Sequence, residues 1–173
     1  MGKAIRWLSG FFVVAAGVTA KADLTLFDTY KNPPESTSHI VAVAGADLGV
    51  NDLTSLFRVD GLRLAPAGSP FTITYPTSNT ADITWNLTGS GFELIGIYVF
   101  GGSNGADLYK VTDPAQMISG SGVIHPPVTG NSGRFADISH TVFLGAAVPE
   151  PSTVALVALF VPCIVRRLIR HAA

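Results

Sequence analysis

Cysteine is nearly absent. The 173-residue chain has one, Cys163, so residues 23–147 hold no disulfide and depend on an apolar core. Basic side chains are also scarce: residues 23–147 carry five (Lys31, Arg58, Arg63, Lys110 and Arg134) against eleven acids, a net charge of −6 with histidines neutral. That balance excludes the basic surface that nucleic-acid binding needs. Catalytic signatures are missing as well, with no Gly-x-Ser-x-Gly elbow, no His-Glu-x-x-His and no phosphate loop. Glutamate occurs twice in this stretch, at Glu35 and Glu93, so a glycosidase-type carboxylate pair would have to be drawn from these and the scattered aspartates. No catalytic residue, metal or other cofactor is therefore assigned, and an enzyme is not expected. Helix signals are lacking too: no amphipathic stretch of ten residues stands out between residues 23 and 147.

What is present there is a series of short apolar runs punctuated by Gly, Pro, Ser, Thr and Asn. Strands are expected at Leu24–Tyr30, His39–Ala44, Ser55–Val59, Phe71–Tyr75, Ala81–Thr88, Phe92–Phe100, Asp107–Thr112, Val123–His125 and Ile138–Phe143. In Ala81–Thr88 the residues Ile83, Trp85 and Leu87 fall on one face, and Asp82, Thr84, Asn86 and Thr88 on the other. Phe92–Phe100 is apolar on both faces and reads as a central strand. The Thr88–Phe92 turn predicts a hairpin between these two strands, and Gly101–Gly105 a second turn. Asp113-Pro114 predicts a capped helical turn running to about Ile118. The spacing of strands and turns predicts an all-β fold, a single antiparallel β-sandwich of jelly-roll or immunoglobulin type over residues 23–147.

The two ends are of a different kind. Residues 1–22 have a positive start (Lys3, Arg6), an apolar stretch from Trp7 to Val18 and a small-x-small triplet at Ala20-Lys21-Ala22. This is the layout of a secretory signal peptide, cleaved after Ala22 or Ala20 by signal peptidase. Residues 148–173 open on Pro149, Glu150 and Pro151, which hold the chain extended and bar a continuous helix. The uncharged run Thr153–Val165 follows, and Arg166, Arg167 and Arg170 close it. Basic residues stay on the cytoplasmic side, so such a run would place the preceding domain outside. As a helix its thirteen residues would reach roughly 20 Å, short of a hydrocarbon core near 30 Å, and Pro162 would kink it.

The order of a Pro-Glu-Pro turn, an apolar segment and an arginine cluster at the C-terminus resembles a PEP-CTERM sorting signal, the tail recognised by an exosortase in the inner membrane of Gram-negative bacteria. The resemblance covers residues 148–173. It implies a transmembrane sorting helix, transient anchoring through Thr153–Val165, and delivery to the outer surface or extracellular matrix. It also implies a setting of exopolysaccharide and biofilm production, with exopolysaccharide as a partner and a structural or adhesive role. A looser resemblance spans Trp85-Asn-Leu-Thr, Tyr98-Val-Phe-Gly-Gly102, Leu108-Tyr109, Ile124-His125-x-Pro127 and Ile138-Ser-His140. Many small exported bacterial proteins have a similar series, with Lys in place of Phe100 and Leu in place of Ile124; it implies no particular activity.

Within the body, His125 and His140 lie in the last strands and are the candidate site. With Asp107 or Asp137 they would form a metal site, although the spacing is not that of zinc ligands; otherwise each ring fixes a neighbouring loop by a hydrogen bond. Gly101–Asp107 resembles a single calcium-binding glycine repeat, and Asp47–Asp52 is an oxygen-rich loop, but both read more simply as turns. A carbohydrate-binding module is the alternative function, with Tyr30, Tyr75, Tyr98 and Tyr109 as the candidate sugar-facing aromatics.

Overall fold

The computed structural model describes residues 24–130 and 133–148. The export signal with Ala20 and Ala22, the turn Pro149, Glu150 and Pro151, and the apolar run with Arg166, Arg167 and Arg170 lie outside them. Among the described residues no helix is long and apolar enough to cross a membrane. The elements run β1 (Leu24–Tyr30), α1 (Thr37–Leu48), β2 (Thr54–Asp60), β3 (Phe71–Thr77), β4 (Thr80–Asn86), β5 (Phe92–Phe100), β6 (Ala106–Val111), β7 (Ser119–Ile124), β8 (Val128–Thr129), β9 (Arg134–Phe135) and β10 (His140–Ala147). Every pairing is antiparallel. One sheet has five strands in the order β1-β6-β5-β10-β2, a second has three in the order β3-β4-β7, and β8 and β9 form a two-stranded ribbon.

The two larger sheets share one core. Phe71 and Ile73 of β3, Ile83 and Trp85 of β4 and Ile124 of β7 pack with Ile97 and Val99 of β5, Val111 of β6 and Phe143 of β10. The alternation expected in β4 is what makes this possible: Ala81, Ile83, Trp85 and Leu87 are buried, and Asp82, Thr84 and Asn86 are exposed. Trp85 faces Gly120 across the β4–β7 ladder, where a Cβ would come within 2.7 Å of its ring. Glycine is thus the residue that admits the indole, whose Nε1 donates to the Gln116 carbonyl at 2.9 Å. At one margin Phe57 of β2, Phe71 and Phe143 form an aromatic chain, with centroids 5.5 Å apart for Phe57–Phe71 and 4.4 Å for Phe71–Phe143.

The central strands are buried on both faces because the outer face of the five-stranded sheet has its own cover. Ile40 and Ala44 of α1 pack on Ile95, Tyr98 and Phe100 of β5, Leu108 of β6, and Val142 and Leu144 of β10. This helix corrects two expectations. The run His39–Ala44 is helical, not a strand, and it belongs to a twelve-residue helix where none of ten was legible. Ile40, Ala44 and Gly45 are buried, with Val41 and Leu48 half-buried beside them, a stripe of helical period made mainly of small side chains. Its end is set by Gly49, at φ 72°, a left-handed cap whose N–H donates to the Gly45 carbonyl.

A third expectation also changes. Thr88–Phe92 is a crossing between sheets and not a hairpin, because β4 pairs with β3 and β7 while β5 pairs with β6 and β10. Consecutive strands that do pair are β3–β4, β5–β6 and the β8–β9 ribbon. Asp113 caps as expected, accepting from the Ala115 N–H at 2.9 Å, although the 3₁₀ turn covers only Pro114–Gln116.

Registers also fix the polarity of the body. Leu24 opens β1 opposite Val111, the last residue of β6, and Ala147 closes β10 opposite Phe92, the first of β5. The start of β1 and the finish of β10 therefore share one end, here the terminal end. At the other, the loop end, Phe100, Ala106, His140 and Asp60 come together with the β3–β4 and β5–β6 turns.

Candidate functional site

The loop end gathers the polar side chains that the strands leave over. Asn79, in the two-residue β3–β4 connection, accepts from Thr77 Oγ1 at 2.7 Å and Thr80 Oγ1 at 3.3 Å, and Ser78 Oγ donates to the Asp137 carboxylate. The Ile138 N–H donates to the Ser78 carbonyl at 2.8 Å and the Ser139 N–H to the Phe100 carbonyl at 2.8 Å. The segment leading into β10 is thereby stitched to both sheets.

His125 follows directly on β7. Its Nδ1 lies 3.2 Å from the Asn79 carbonyl and 3.3 Å from Thr80 Oγ1. A carbonyl only accepts, so Nδ1 carries the proton and donates to it. The ring stacks on Phe135 of the β8–β9 ribbon at 4.3 Å and 11°. Phe135 is 39% exposed, and its cross-strand neighbour Val128 is 46% exposed. The His125 main chain is held as well: Tyr109 Oη donates to its carbonyl at 2.9 Å and accepts from its N–H at 3.2 Å, tying β6 of one sheet to the end of β7 in the other.

His140 sits at the same end but in another layer. It stands opposite Phe100 and Asp60 in the ladder and stacks on the Phe100 ring at 4.5 Å. Phe100, with Val142 two residues further along β10, packs in the layer covered by α1, whereas His125 hangs from the three-stranded sheet. The two imidazoles are not brought together. Asp107 is buried and accepts from Thr29 Oγ1 at 2.6 Å, and Asp137 takes the Ser78 hydroxyl. Among the described residues no group of three or more His, Cys, Asp or Glu is placed to hold a metal ion. Burial pushes the Asp107 carboxyl above the usual range, and the Thr29 hydrogen bond only partly offsets that.

The other candidates resolve one by one. Gly101–Gly105 is a turn between β5 and β6, with the Gly101 N–H donating to the Gly105 carbonyl at 2.8 Å. Gly105, at φ 106°, lies so close to the Tyr30 carbonyl that no Cβ would fit. In the Asp47–Asp52 segment, Asp47 belongs to α1 and accepts the Tyr30 hydroxyl. Of the four tyrosines, Tyr98 and Tyr109 are buried, and Tyr30 and Tyr75 are half-buried, so none is a free sugar-facing ring. Among the described residues the exposed aromatics are Phe27, Phe92 and Phe135. Phe27 and Phe92 lie in runs read as strands, whose pattern does not announce which ring overhangs the core, and Phe135 lies in a stretch where no strand was expected. Glu93 and Glu35 lie at opposite ends of the body: Glu93 pairs with Ala146 at the terminal end, while Glu35, in the segment between β1 and α1, accepts at its carbonyl from Arg58 near the loop end.

The loop end thus offers an exposed Phe135–Val128 patch on a stacked imidazole, rimmed by Asn79 and Asp137, and no assembled nucleophile, acid–base pair or metal cage. No family model, curated protein or solved structure matches this chain.

Proposed function

We propose that the chain is an exported surface or matrix protein with a structural or adhesive role, carried out by signal peptidase and exosortase processing of its two ends. The observation that supports this reading is the shared terminal end of β1 and β10. A body tethered through either neighbouring segment would present the same loop end outward. The shared two-sheet core supports describing that body as a β-sandwich. Five strands against three departs from the four-plus-three immunoglobulin arrangement. The setting is the exopolysaccharide matrix of a Gram-negative surface.

Intact mass with C-terminal peptide mapping, on protein from the native surface fraction, tests the proposal. A chain starting near Asp23 and finishing near Pro149–Pro151 is the expected result. A mass that still contains Arg166–Ala173 would place the protein as a retained inner-membrane component and end the surface reading.

A second reading, a carbohydrate-binding module, is favoured by the Phe135–His125 stack. An exposed ring face beside Asn79 and Asp137 offers apolar contact for a sugar's C–H face together with hydrogen-bonding partners for its hydroxyls. Saturable binding of host exopolysaccharide that falls at least tenfold in Phe135→Ala supports it, and unchanged binding rejects it.

A further inference from the structure

His140 is 5% exposed, and its Nε2 is buried without a hydrogen-bond partner among the described residues. An imidazole placed so is tolerated neutral and penalised when charged. The groups around it sharpen that contrast. From β5 the Phe100 ring stacks on it at 4.5 Å. From β2 it feels Arg58 and Asp60, and from the segment before α1 it feels Glu35. The Asp60 carboxylate is already engaged by Arg58 Nε at 2.8 Å and points largely into solvent. Burial first, then Arg58, holds the His140 ring below the ordinary histidine value, with Asp60 and Glu35 opposing.

Arg58 is also what fastens the start of α1. Its Nη1 donates to the Glu35 carbonyl at 3.0 Å and to Thr37 Oγ1 at 3.2 Å, bridging β2 to the residues on either side of the helix cap. Ser36, at the cap position, makes no side-chain cap bond. A second cation here would face both the Arg58 guanidinium and the positive end of the helix dipole.

We propose that His140 is an acid-operated latch: neutral, it lets Arg58 hold the first turn of α1 on the five-stranded sheet, and protonated, it releases that turn. The released helix would bare the apolar outer face of the sheet, including Tyr98, Phe100 and Val142. The sign follows from linkage. A ring whose folded value lies below its unfolded one stabilises the closed state above about pH 6.5, and that contribution is lost as pH falls toward the folded value.

Hydrogen exchange on the purified full chain tests this between pH 7.5 and 5, read as protection factors so that the intrinsic rate cancels. At Ile40 and Val41, protection is expected to fall by up to about tenfold per pH unit below pH 6.5, while the β4 amides keep theirs. In His140→Phe, which keeps a ring against Phe100, and in His140→Gln, the α1 amides are expected to be insensitive to pH over the same range. Wild-type protection that stays flat, or a decline that persists in the variants, would overturn the latch. Ring-proton NMR of the wild-type chain gives a test that needs no variant to fold. A His140 midpoint below the ordinary histidine value is expected, and one at or above it would overturn the proposal.

Discussion

Two tyrosines one layer apart show how little residue type says about what a hydroxyl contributes. Tyr109 Oη both donates to and accepts from the His125 main chain, and so fastens the two sheets at the loop end. Tyr98 Oη, in the layer under α1, is buried without a partner among the described residues. Tyr109→Phe is therefore expected to lower stability by about 1 kcal/mol, since it removes the partner of a part-buried N–H and carbonyl. Tyr98→Phe is expected to be neutral or stabilising, because it removes an unsatisfied group and keeps the ring. Urea unfolding of the two variants checks this, and the reverse ranking would mean that the hydroxyl bonds are wrongly placed. Asp107 makes a related case at the level of charge. Its carboxyl value is raised by burial, so the folded state binds its proton more readily than the unfolded chain does. Stability from this group is greatest at acid pH and falls as pH rises from the ordinary carboxylate value through the folded one. Asp107→Asn, which keeps an acceptor for Thr29, should raise the urea midpoint at pH 7 and have less effect at pH 4.

At the scale of elements, α1 depends on a small number of contacts. Ile40 is its one large fully buried side chain, and Ile40→Ala is expected to cost about 2–5 kcal/mol, read as a lower thermal midpoint with the β-sheet signal retained below it. Gly49→Ala should cost about 1 kcal/mol, because φ 72° is a conformation alanine resists. This helix is also where sequence reading failed. A run of Ile, Val and Ala carries strand propensity, and a period of two is readily seen in it. What decides its conformation is tertiary: Ile40 and the small Ala44 pack on a sheet face that needs a cover, and Gly45 lets the chain turn back so that the Val50 carbonyl and Leu53 lie against the helix. The strands were legible where one face is wet, as in β4, and where both are apolar, as in β5. The Thr88–Phe92 reversal was legible as a turn but not as a crossing, since turn residues report a change of direction and not which sheet receives the next strand. Much the same holds for His125 and His140, whose placement at one end followed from their positions in the chain. Their separation into two layers depends on strand parity and on a helix that the sequence did not disclose.

At the scale of the whole molecule, the body has a direction, and its chemistry is distributed along it. The terminal end carries the strand ends that lead to residues 1–23 and 149–173, and the loop end carries the stacked rings and the polar turns. Because Cys163 is the chain's only cysteine and lies outside the body, single cysteines placed in the body can report that direction. Ser103, in the β5–β6 turn, and Ser90, in the crossing between β4 and β5, are both exposed and sit at opposite ends. If the protein is anchored through its tail as proposed, a bulky maleimide given to spheroplasts, whose outer membrane has been opened, is expected to label Ser103→Cys several-fold faster than Ser90→Cys. For protein freed of the tail the two rates should converge, since no membrane then screens the terminal end. Equal labelling in the membrane fraction would show that the body is not presented by its loop end. Preferential labelling of Ser90→Cys would invert the orientation and move the search for a ligand contact from Phe135 and His125 to the crossing beside the exposed Phe92 ring.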